Sequence, residues 1–115
     1  MSGRVVHVNS GMPFDVYAGR AAPRQKLRGH LYFANNMKVG VDGTREEVLE
    51  YYERYARDHI EESPDGPFVA ALRDLRGKTL ACWCADKAKP LTLEDPIICH
   101  GQILLVLAEE LANDS

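Results

Sequence analysis

LRGKTLACWC, residues 75–84, holds the end of a helix, a stop and a buried strand in direct succession. Leu75 closes an apolar row, and Gly77 is the residue type that commonly follows a helix end, because it takes left-handed backbone at little cost. KTLACWC then runs with an almost unbroken apolar centre, the signature of a strand covered on both faces in a parallel sheet. Helix, glycine and buried strand make an αβ unit. The expectation is one α/β domain over residues 1–115, a small, largely parallel sheet flanked by about three helices.

The flanking segments fit that unit. RVVHVN (4–9) is rich in β-branched residues and ends in Asn9-Ser10-Gly11, so it reads as a first strand, and DVYAG (15–19) as a second. LYFAN (31–35) reads as a further strand. Thr44 followed by Glu47 is a capping box, which opens a helix running to about Ile60. Within it Val48, Tyr52, Tyr55 and His59 keep a helical rhythm and are expected to face the core, with the acidic residues on the solvated side. A shorter helix starts near Pro67 and turns Phe68, Val69, Leu72 and Leu75 inward. QILLVLAEELA (102–112) is the last helix, opened either by Asp95 with Pro96 or later, at Gly101.

Composition narrows the setting. Apolar residues make up 45% of the chain, enough for one core. With 14 basic against 17 acidic residues the net charge is −3, which gives no global attraction to nucleic acid or membrane. The longest apolar run, Ile103 to Ala108, is far too short to span a bilayer, and no leader-like segment opens the chain. The expected location is cytoplasmic. Three cysteines, two of them separated only by Trp83, argue against a disulfide framework.

Those cysteines concentrate the chemistry. Strand alternation places Cys82 and Cys84 on one face with Trp83 on the other, while Cys99 and His100 fall at the start of the last helix, where backbone N–H groups favour a thiolate. Ligands in α/β sheets sit where strands end and helices begin. Three readings remain open. Cys82, Cys84, Cys99 and His100 form a Cys3His set suited to zinc, although their spacing is not that of a finger or ribbon. Alternatively Cys84 or Cys99 is a nucleophile served by His100. In the third reading the thiols are buried core groups, Cys82 above all.

The one basic stretch is a loop over residues 20–30, with Arg20, Arg24, Lys26, Arg28 and His30. Arg20 leaves a strand end directly after Gly19, a placement suited to bidentate capture of phosphate or carboxylate. Tyr17, Tyr32 and Phe33 flank the loop and are able to stack on a base. Pairing of this loop with the acidic helix face is the competing reading. His7 and His59 read as structural histidines, and Asp15 as a strand-end carboxylate or a turn cap.

DVYAGR (15–20), DGTREEVLEYYERY (42–55), LRGKTLACWC (75–84) and CHGQILLVLAEEL (99–111) together resemble the domain-of-unknown-function 4326 family of small bacterial and bacteriophage proteins. The resemblance implies an α/β domain with family motifs on Tyr17, Gly19, Arg20, Gly43, Thr44, Arg45, Cys82, Trp83, Cys84, Cys99, His100 and Gly101, and it carries no activity. The chain departs from the family pattern by the inserted loop at 85–98 and by Phe33-Ala34-Asn35-Asn36-Met37 in place of an Asn-Pro-Phe element.

These readings combine into one functional expectation. Tyr17, Gly19 and Arg20 bind a small anionic, nucleotide-like ligand, and Cys84, Cys99 and His100 form its reactive end. The alternative is a non-catalytic, zinc-stabilised module that binds a protein or nucleic acid.

Overall fold

The computed structural model describes residues 3–19, 33, 40–41, 43–83 and 89–113. Among the described residues seven elements follow in chain order: β1 (Arg4–His7), β2 (Val16–Tyr17), α1 (Arg45–Glu62), α2 (Pro67–Arg73), β3 (Thr79–Cys82), β4 (Leu91–Thr92) and α3 (His100–Asn113). The strands lie in the order β2-β3-β1-β4. β1 and β2 both run parallel to β3, and β4 is antiparallel to β1. This is the α/β fold expected from the sequence, a mostly parallel sheet with three helices.

β3 is the pivot. Leu80, Ala81 and Cys82 have no solvent exposure, and neither do Val5 and Val6 beside them in β1, so both faces of the two central strands are dry. That is why KTLACWC lacks the polar alternation of a half-exposed strand. Gly77 turns the chain from α2 into β3 with φ +77°, a backbone conformation that side chains beyond glycine rarely adopt. Asp15 is a structural strand-end group: its Oδ2 accepts the Thr79 N–H at 2.9 Å and its own N–H donates to Thr79 O, which registers β2 against β3.

α1 begins as expected. The Thr44 hydroxyl accepts the Glu47 N–H, and the Glu47 carboxylate accepts the Thr44 N–H. Its buried row is Val48, Tyr52 and Ala56, a single line of i+4 steps. Tyr55 is not part of it. The residue is 47% exposed, because α2 covers only the flank of α1; Tyr55 and His59 lie along that border, where His59 stacks on Phe68.

Of the two starts read for α3, the later one holds to within a residue. Asp95 does not cap it. The Asp95 carboxylate instead closes a turn onto the backbone N–H and hydroxyl of Thr92, and the helix begins at His100. Part of the expected loop at 85–98 is sheet: Leu91 and Thr92 pair with Val5 and Arg4 as the edge strand β4. α3 is buried almost all round from His100 to Leu105, which its apolar sequence requires. It also presses close on the sheet. A Cβ at Gly101 would lie 3.1 and 3.3 Å from the two methyls of Val5, so the glycine sets how near the first turn comes to β1. None of the described helices is long and apolar enough to cross a membrane.

Candidate functional site

Because β1, β2 and β3 are parallel, their C-terminal ends lie on one edge of the sheet, and the chemistry-bearing residues collect there. Cys82 ends β3, Cys99 immediately precedes α3, and the two sulfurs are 2.6 Å apart with neither residue exposed. His100, the first residue of α3, is 5% exposed, and its Nε2 lies 2.8 Å from the carbonyl of Ala18, just past β2. A carbonyl only accepts, so Nε2 carries the hydrogen and Nδ1 is the lone-pair nitrogen of neutral His100. The imidazole also sits edge-on to the ring of Tyr52, 5.0 Å between centroids.

Tyr52 links this edge to α1. Its buried hydroxyl donates to Phe33 O at 2.6 Å, and burial pushes the phenol well above its usual range, assisted by the neighbouring Tyr55 and Cys99. The hydroxyl therefore stays protonated at neutral pH. A second tie comes from Arg45, whose guanidinium donates to Ile98 O at 2.8 Å, joining the first turn of α1 to the segment that leads into α3.

The residue that organises this segment is Gln102, which the sequence reading passed over. Its side chain is fully buried and uses every hydrogen-bonding position. Oε1 accepts the N–H groups of Ile98 and Cys99 at 2.8 and 3.2 Å, and Nε2 donates to Thr92 O and Pro96 O at 3.0 and 3.2 Å. The acceptor half reproduces the Gln arm of a capping box. The signal was present as a Gln three residues beyond Cys99, but a cysteine there does not advertise a cap.

On the same edge Tyr17, Trp83 and His7 form an aromatic group. The Trp83 indole N–H donates to the Tyr17 hydroxyl at 2.7 Å, and the rings of His7 and Trp83 meet at 84° with centroids 5.6 Å apart. His7 also accepts the Asn9 N–H at Nδ1, which closes the turn after β1. Gly19 makes room for this arrangement, since a Cβ there would lie 2.5 Å from the Tyr17 hydroxyl oxygen.

Cys84, Arg20 with the rest of the 20–30 loop, Tyr32, and all of 31–35 except Phe33 lie outside the described residues, as do residues 85–88 of the insertion. Phe33 is buried in the core against Phe68, not on a ligand-facing surface. Among the described residues no group of three or more His, Cys, Asp or Glu side chains is arranged to hold a metal ion.

Fold and site together define a small open-sheet α/β protein whose parallel strand ends carry a buried thiol pair, an imidazole fixed in one tautomer and an aromatic group. The model of the family described as domain of unknown function (DUF4326) matches residues 6–110, and the chain belongs to that family. No curated protein and no solved structure matches it.

Proposed function

We propose that the protein binds or processes a phosphorylated, nucleotide-like small molecule at the C-terminal edge of its sheet, in a cytoplasmic setting. The supporting observation is the meeting of three parallel strand ends with the start of α3, where Gly19 makes room for the Tyr17 ring and Gly101 lets the first helical turn approach β1. Open α/β sheets bind their ligands at such edges. In this reading Arg20 follows Gly19 and takes the anion, Tyr17 and Gly19 line the site, and Cys84, Cys99 and His100 form the reactive end. A thermal-shift panel of nucleotides and sugar phosphates tests it. A ligand at 100 times its Kd adds about 2.7 kcal/mol, a rise in Tm of about 10 °C for a chain of this size. An unchanged Tm across the panel, with Arg20→Ala indistinguishable from wild type, overturns the proposal.

The contact between the Cys82 and Cys99 thiols favours one second reading. Two thiols meeting beside a third cysteine in sequence supply most of a zinc set, with Cys84 and His100 completing it in a non-catalytic module that binds a protein or nucleic acid. Elemental analysis of protein purified without chelator is then expected to find about one zinc per chain. Its absence, together with fast alkylation of a thiol at neutral pH, returns the cysteines to the first reading.

A further inference from the structure

Trp83 is the single tryptophan of the chain and is 40% exposed, although it directly follows a strand with no exposure at its last three positions. An indole in that place would normally be tucked into the core or replaced by something polar. Here it is held in the open. Its one polar atom is bonded to the Tyr17 hydroxyl, and its ring is braced by His7. With the N–H satisfied, the indole offers solvent only aromatic surface.

The brace is built from three strands. Tyr17 comes from β2, Trp83 follows β3 and His7 ends β1, so the ring is fixed relative to the whole C-terminal edge. Gly19 is part of the device, because any side chain there would displace the phenol that holds the indole. Tyr17 pairs with Ala81 and the Ala18 N–H donates to Ala81 O, so the indole leaves β3 beside the strand that carries Tyr17. In the nucleotide reading the anion contact is assigned to Arg20, the residue after Gly19 in the sequence.

We infer that Trp83 is the stacking platform for the nucleobase of the ligand, oriented by Tyr17 and His7. This deepens the nucleotide reading of the preceding section and rests on it. Stacking on an aromatic side chain tolerates any base, so the platform gives affinity for purine or pyrimidine rings while the anion contact selects the phosphate.

The sole tryptophan makes its own emission the test. AMP and ADP are titrated against the full chain while Trp83 fluorescence and Tm are followed, with ribose 5-phosphate, pyrophosphate and adenosine in parallel. Saturable quenching by AMP and ADP is expected, whereas ribose 5-phosphate and pyrophosphate raise Tm without quenching. Trp83→Leu should weaken AMP binding roughly 5- to 150-fold, and Trp83→Phe should recover most of it. Tyr17→Phe keeps the indole but frees it, so a several-fold loss with a changed emission maximum is expected, and this variant serves if Trp83→Leu misfolds. A Tm rise with AMP but no quenching, and an AMP affinity unchanged in Trp83→Leu, overturns the platform and leaves the anion reading standing. Quenching by adenosine equal to that by AMP supports the platform and overturns the anion contact. No response to any probe overturns both.

Discussion

Replacing Gln102 by leucine removes all four hydrogen bonds of a fully buried amide while nearly conserving its volume. The four backbone partners are not equivalent. Cys99 is buried and Ile98 half-buried, so their N–H groups lose a partner where water reaches poorly, at a cost of about 1–2 kcal/mol each. Thr92 and Pro96 are exposed, and their carbonyls can turn to solvent for a fraction of that. Leucine regains part of the loss, since it needs no partner in an apolar site. The balance is a destabilisation of about 2–4 kcal/mol. A chain of 115 residues unfolds with an entropy of about 0.24 kcal/mol/K, so Tm should fall by about 8–16 °C. Denaturant melts and calorimetry of wild type, Gln102→Leu and Gln102→Glu measure it. The glutamate keeps the acceptor half but sets a carboxylate against two carbonyls, so it should also be destabilised. A Tm within 2 °C of wild type for the leucine variant would refute the organising role assigned to Gln102.

Tyr52→Phe removes the bond from the buried hydroxyl to the Phe33 carbonyl and should cost about 1–2 kcal/mol in denaturant melts. Because the folded phenol titrates above its ordinary value of 10.0, the unfolded chain releases that proton first as pH rises, and stability falls above pH 10; the variant should lose this part of the alkaline decline, and parallel curves for the two proteins would contradict it. Glu47 and Asp95 behave oppositely. Hydrogen bonds from the Thr44 backbone and hydroxyl hold Glu47 below its ordinary 4.5, and those from Thr92 hold Asp95 below 3.8, so their support is complete above those values and disappears as pH falls through the lowered ones. Glu47→Gln should therefore flatten the acid limb of a pH–Tm profile, and an unaltered limb counts against the capping box as its source. Gly101→Ala gains helix propensity but drives a Cβ against Val5, for a net loss of about 1–2 kcal/mol; Val5→Ala combined with it should be less destabilising than the two single changes added together, and strict additivity would show that the clash does not exist.

The central strands and the start of α1 were legible because each has a short-range cause. Val5, Val6, Leu80 and Ala81 announce two-sided burial by composition, and Thr44 with Glu47 announces a cap by spacing. Tyr55 was misplaced because helical rhythm gives the direction of a side chain and not the width of its neighbour, and α2 is only seven residues long. Asp95 was misplaced because an Asp before a Pro suits a helix cap and a turn equally well, and Thr92, three residues upstream, decided for the turn. Within the site, Cys82, Cys99 and His100 were singled out from strand and helix geometry alone. The bond from Gln102 to Thr92, and that from Trp83 to Tyr17, were not visible, since each joins residues whose proximity comes only from the packing of α3 and the register of β2.

The two-residue strand β4 has a consequence for how molecules of this protein meet one another. β1 and β3 are the central strands of the sheet, and without β4 the backbone of Arg4 and Val5 would present unpaired donors and acceptors along an apolar edge. Such an edge recruits strands from other chains. β4 covers it with a partner too short to extend the ladder, and the turn that follows is locked by Asp95 and Thr92. In pairing with Val5 and Arg4, Leu91 and Thr92 remove those backbone groups from the set that another chain's strand could use.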